Sequence, residues 1–189
     1  MGQDRVDRLS REYDIDVEWR AFLLRPDTPP EGMPHPLPPN VRAQRSAPMR
    51  EMAANAGLTI VDRDWISSSR LALEASEYAR LRGAFEPFHR AVFHAYFAEG
   101  RDIGSIDVLA ELGASVGLDP EAMIETVQRG DFAHLIDEDV LLSSDLGLTG
   151  VPAFILGNRA IVGAQPYDVF EQVMGMLGAR KRTEEHGAT

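Results

Sequence analysis

Thr149-Gly150-Val151-Pro152-Ala153-Phe154-Ile155-Leu156 decides how this chain is read. A glycine and a proline punctuate the stretch, and four apolar residues then run without a charge, the pattern of a short buried strand. The residue before a proline is pushed toward extended geometry. An X-Pro bond is also the one peptide whose cis form costs little. From these residues alone Pro152 reads equally as a turn proline and as a cis proline at a strand entrance. A second apolar run, Arg159–Val162, follows after Gly157-Asn158, and that two-residue spacer is a strong hairpin signal. Gly163-Ala164-Gln165-Pro166 then leads into a helix with Val169, Phe170, Val173, Met174 and Leu177 on its apolar face, and proline suits a first helical position.

Upstream the apolar period is different. Residues 3–13 read as a helix with Val6, Leu9 and Tyr13 on one stripe and no N-cap residue before it. Ile15-Asp16-Val17-Glu18-Trp19-Arg20 alternates, and Ala21-Phe22-Leu23-Leu24 runs apolar, so 15–24 reads as a strand buried toward its end. Residues 25–40 hold Pro26, Pro29, Pro30, Pro34, Pro36, Pro38 and Pro39, which predicts a loop or covering flap. From 44 to 147 nearly everything reads as helix: 67–82, the aromatic-rich 85–98, 105–116 capped by Ser105, a helix opened by Asp119-Pro120 and ended at Gly130, and 131–146. The expected organisation is a core from 1–43 and 148–180, a helical block over 44–147 and a flexible tail at 181–189.

Composition narrows the function classes. Of 189 residues, 44% are hydrophobic and 26% charged, as in ordinary globular proteins. A net charge of −11 without a basic cluster argues against nucleic acid and anionic membrane as partners. No apolar run approaches the roughly 20 residues that cross a bilayer. The polar Met1-Gly2-Gln3-Asp4-Arg5 does not resemble a signal peptide, so the expected location is the cytoplasm. There is no cysteine, which removes disulfides, thiolate metal sites and cysteine catalysis from this chain.

Phe22-Leu23-Leu24-Arg25-Pro26-Asp27-Thr28-Pro29-Pro30-Glu31-Gly32, the helical block, Gly150-Val151-Pro152-Ala153-Phe154 and Gly163-Ala164-Gln165 together resemble the DsbA-like thioredoxin-fold proteins, with the FrnE-type oxidoreductases as the nearest branch. The likeness runs from about residue 5 to 178. It implies an α/β thioredoxin-like fold interrupted by an all-helical insertion. It implies a cis Pro152 beside the active-site turn, with the Val151 backbone offered to an extended peptide or to glutathione as a short strand pairing. It also implies that Gly163, Ala164 and Gln165, with the following helix N-terminus, face the gamma-glutamyl end of glutathione. Val151, Pro152, Gly163, Ala164 and Gln165 are thus the expected binding residues, with no tightly bound cofactor and glutathione as a co-substrate.

The resemblance also implies a strand and a Cys-Pro-x-Cys turn before the first helix, and neither is in these residues. That strand would be central in the sheet, between 15–24 and 153–156. Each buried backbone group left unpaired costs about 1–3 kcal/mol, against a total stability of about 5–15 kcal/mol. Three explanations are open: a true start upstream of Met1, a strand supplied by another chain, or a rearranged sheet. The upstream start is preferred.

The expected function is a DsbA/FrnE-type thiol-disulfide oxidoreductase, acting on a thiol/disulfide protein or glutathione and catalytically incomplete as given. One alternative is a glutathione-dependent isomerase or transferase, like 2-hydroxychromene-2-carboxylate isomerase and the kappa-class transferases. Another is a non-enzymatic binding domain, a homo-oligomer that repairs its sheet. Other chemistry-bearing residues read as structural. His89 and His94 are five apart and share no face for a metal, and His35, His134 and His186 lack partners. No metal site is expected. Asp137-Glu138-Asp139 reads as a solvated helix face, and the Phe85–Phe97 stripe as core.

Overall fold

The computed structural model describes residues 2–182 and divides into two compact units. One comprises the described parts of Met1–Arg20 and Ser143–Thr189; the other is Ala21–Leu142.

In the first unit, α1 (Gly2–Glu12) places Leu9 inward, and Tyr13 just beyond it is equally buried. The hairpin forms as its sequence predicts: β3 (Ala153–Leu156) pairs antiparallel with β4 (Arg159–Val162), with Phe154 opposite Ile161 and Leu156 opposite Arg159. Gly157 in the turn has φ +57, which glycine adopts without strain. The last helix, α8 (Tyr167–Met176), has Pro166 as its N-cap residue, one position earlier than the first-turn placement expected for it. Phe170 and Met174 of α8 complete a core with Leu9, Tyr13 and Ile161, bordered by Phe154 and Leu156. The Phe154 and Phe170 rings meet edge-on at 4.9 Å. Arg180–Arg182 run antiparallel past Glu12–Asp14: Asp14 N–H donates to Arg180 C=O and Arg182 N–H to Glu12 C=O. The rest of the expected tail, residues 183–189 with His186, and Met1 lie outside the described residues.

The strand expected at 15–24 is not formed; these residues have no regular secondary structure. Alternation gives a segment two faces, but a strand also needs a neighbouring edge to pair with, and among the described residues the β3–β4 sheet has two strands.

In the second unit the proline loop carries β1 (Met33–Pro34), which pairs with β2 (Trp65–Ile66). Pro39, read as loop, instead opens α2 (Pro39–Asn55), where a missing N–H costs nothing. α3 (Arg70–Leu81), α4 (Phe85–Phe97), α5 (Ile106–Ser115) and α6 (Pro120–Gln128) enclose a core of Ala75, Tyr78, Phe88, Val92, Leu109 and Met123. α7 (Ala133–Asp145) buries Ile136 and spans the boundary between the units.

Two expectations for the helices are corrected. Asp139 does not belong to a solvated face: it is buried and accepts the Ala21 N–H at 2.6 Å. Charge alone does not fix exposure where a loop amide needs a partner. The α4 stripe is not uniformly core. Phe88 and Val92 are buried, whereas Phe85, His89, Phe93 and Phe97, one turn apart, form a peripheral column of rings with Phe93 about half exposed.

Candidate functional site

All five residues singled out in the sequence lie along the open end of the β3–β4 hairpin. The Val151–Pro152 peptide is cis. Val151 is 53% exposed, and Pro152 is half-buried. The hairpin register carries past the end of β4, so Gly163 N–H donates to Pro152 C=O at 2.8 Å. Gly163 stands at φ +86, a conformation that disfavours any residue with a Cβ. Ala164 is half-buried in the turn. Gln165 closes it: its N–H donates to Gly163 C=O at 2.9 Å and its side-chain amide to Val162 C=O at 3.0 Å.

α1 supplies the rest of the site. A Cβ on Gly2 would lie 2.9 Å from Pro152 Cβ, so the first turn of α1 rests directly on the proline ring. The helix dipole makes this end of α1 locally positive. Three residues on, Arg5 Nε donates to Gln165 C=O at 3.3 Å, and its Nη1 pairs with Asp4 at 2.8 Å. Arg5 is the cation beside the Gly163–Gln165 turn. Further along the same flank, Arg8 stacks 3.6 Å over the Tyr167 ring and donates to Glu12 at 2.7 Å, and Tyr167 Oη donates to Glu12 at 3.0 Å. The hydrogen bond from Arg8 holds the Glu12 carboxyl below its usual range. Burial, reinforced by Glu12, pushes the Tyr167 phenol upward. This triad ties α1 to the start of α8 and so fixes the two walls of the turn.

Sequence reading found the hairpin end but not Gly2, Arg5, Arg8 or Tyr167. The available signal was spacing: residues 5, 8 and 12 share one helix flank. It could not be aimed at Gln165 or Tyr167 without knowing which segment lay beside it.

The site presents an exposed Val151 ahead of the cis proline, a glycine turn and the Arg5 guanidinium. It holds no sulfur nucleophile, since the chain has no cysteine. Among the described residues no three His, Asp or Glu side chains converge to hold a metal. The described histidines belong to the other unit: His89 is in the ring column, His94 faces Glu99 at 3.3 Å, His35 Nδ1 accepts the Leu37 N–H at 3.1 Å, and His134 is exposed on α7. This arrangement can bind and orient an extended or anionic group.

The model of the DSBA-like thioredoxin domain matches residues 1–175. The chain belongs to that family. It is 30% identical to the uncharacterized protein YwbO of Bacillus subtilis (strain 168), over 92% of this chain and 88% of that protein. Its structure is similar to that of a candidate DsbA oxidoreductase from Streptomyces coelicolor, with a TM-score of 0.82 and 25% identity over 97% of this chain and 86% of the other. A candidate protein disulfide isomerase from Nitrosomonas europaea shares the fold at a TM-score of 0.63 and 18% identity, over 83% and 80% of the two chains. The thioredoxin-like fold interrupted by helices is thereby established for this DSBA-like chain. No helix of the described residues is long and apolar enough to cross a membrane.

Proposed function

We propose that this chain is the substrate-binding part of a DsbA-type thiol-disulfide oxidoreductase of the FrnE branch, and that its dithiol comes from outside these 189 residues. The observation that carries this reading is the first turn of α1 resting on Pro152, beside the exposed Val151 backbone. A thiolate held at that helix end would be favoured by the dipole and would face a peptide paired with Val151. In such a reaction the thiolate attacks a substrate disulfide and displaces one substrate thiolate. A second thiol then resolves the mixed disulfide, so the substrate gains two electrons and the dithiol becomes a disulfide. With no cysteine the chain alone performs neither step.

Arg5 supports glutathione as the small thiol served by the site. A guanidinium beside the Gly163–Gln165 turn and the start of α8 suits the carboxylate of a gamma-glutamyl group. This second reading extends to the glutathione-dependent isomerases and transferases. Calorimetric titration with glutathione separates the two: binding lost in Arg5→Ala supports it, and no binding to the wild-type chain removes it.

The main reading is tested by insulin reduction. The chain alone should give no rate above the chemical reductant. Joining a strand and a Cys-Pro-x-Cys turn ahead of Gly2 should produce turnover, and Val151→Pro in that fused protein should raise KM at least about tenfold by removing the backbone donor. A fused protein that folds and stays inactive would refute it.

A further inference from the structure

The second unit holds a cavity of its own. It opens between the α3–α4 turn and the α5–α6 turn, with a volume of about 390 Å³. Small-molecule sites run from about 300 to 1,000 Å³. Val116, Leu118 and Ala122 give it an apolar wall, and three polar side chains, Tyr78, Arg82 and Asp119, line it with them. Tyr78 is 3% exposed and belongs to the core of this unit. Its hydroxyl nevertheless has no hydrogen-bond partner among the described residues, and it is not sealed into the core. Buried polar groups in folded proteins are nearly always paired, so a tyrosine this buried with its hydroxyl open on a cavity marks a place for an outside partner.

The two charged side chains sharpen the chemistry. Arg82 directly follows α3 and lies 5.2 Å from the centroid of the Tyr78 ring. Arg80, two residues earlier, is held by Glu77, whereas Arg82 forms no ion pair among the described residues. Asp119 caps α6: one carboxylate oxygen accepts the Ala122 N–H at 3.1 Å, and the other is left open. A lone anion in this cavity would suit Arg82 and be repelled by Asp119, and a lone cation would meet the reverse. A ligand that carries both charges beside an apolar group suits every part of the lining.

We propose that this cavity binds a free α-amino acid with an apolar side chain. The carboxylate pairs with the Arg82 guanidinium, whose planar fork matches it, and accepts the Tyr78 hydroxyl. The ammonium donates to the open oxygen of Asp119, and the side chain packs on Val116, Leu118 and Ala122. Arg82 is exposed, so its long side chain is free to close over the ligand.

The test is a titration of the full chain with L-leucine to about 10 mM, followed at the methyl signals of Val116, Leu118 and Ala122. Leucine should shift these signals and saturate. 4-Methylpentanoate, which lacks the ammonium, and 3-methylbutylamine, which lacks the carboxylate, should each bind at least about tenfold more weakly. Arg82→Gln and Asp119→Asn should each cost leucine at least about tenfold, and Tyr78→Phe about threefold. Asparagine still caps a helix, so Asp119→Asn removes the charge and keeps the bond to Ala122. The two analogues need no variant and decide the case if a substitution disturbs the fold. The proposal is overturned if leucine leaves the three methyl signals unmoved, or if either analogue binds as tightly as leucine. It is equally overturned if leucine binds well-folded Arg82→Gln and Asp119→Asn proteins as it binds the wild type.

Discussion

His89 shows how much one side chain can set. Its ring lies 5.4 Å from Phe85 and 4.4 Å from Phe93, and burial holds its pKa down at about 4, with Arg90 and Arg80 adding to the effect and Glu86 opposing it. An unfolded chain takes up a proton near the usual histidine value of about 6.5. Between those two values the unfolded state binds more protons than the folded one, so stability falls as pH drops from about 6.5 to about 4. The loss should be on the order of 2 kcal/mol, allowing for the solvent that reaches the ring. His89→Phe keeps the column and removes the proton site. Urea melts across this window should therefore be flatter for the variant, and equal slopes would show that His89 is not the group responsible. The paired carboxylates Glu12 and Asp62, held low by Arg8 and Arg42, act in the same direction at lower pH.

Elements were legible wherever the signal was local. The hairpin needed only two apolar runs and Gly157-Asn158, and the helices of the second unit needed only their apolar spacing. Caps mark the boundary of that method. Ser105 and Asp119 both read as N-caps, and both occupy N-cap positions, but only Asp119 makes the side-chain bond, accepting Ala122 N–H at 3.1 Å. Asp119→Ala should therefore cost about 1 kcal/mol in a denaturant melt and Ser105→Ala close to nothing; equal losses would show that the cap bond is not what matters. The two misreadings and the unread partners of Arg5 share one cause. The 15–24 strand, the exposure of Asp139 and the partners of Arg5 each depend on a segment far away in sequence: a neighbouring strand, the Ala21 amide, the Gln165 carbonyl. Periodicity reports which face of an element is apolar, not what that face will meet. The hairpin end is legible because its residues belong to one hairpin, whereas its α1 wall, some 150 residues away, is not.

At the scale of the whole molecule, the chain crosses between its two units at Arg20–Ala21 and at Leu142–Ser143, and no buried residue is common to the two cores. Each unit carries one tryptophan, Trp19 in the first and Trp65 in the second, so each can be followed separately. The first unit has the smaller core and should unfold at lower denaturant. In a Trp65→Phe protein, fluorescence reports that earlier transition; in a Trp19→Phe protein, the later one. Phe170→Ala then separates the cores. Phe170 is fully buried in the first, and its loss should remove about 3–5 kcal/mol. The Trp19 midpoint should move by that amount and the Trp65 midpoint by less than about 0.5 kcal/mol, the limit for independent sites. Leu109→Ala, in the second core, should do the reverse. Coincident midpoints that shift together under both substitutions would mean that the chain folds as one cooperative body, with the hairpin site as stable as the helical unit.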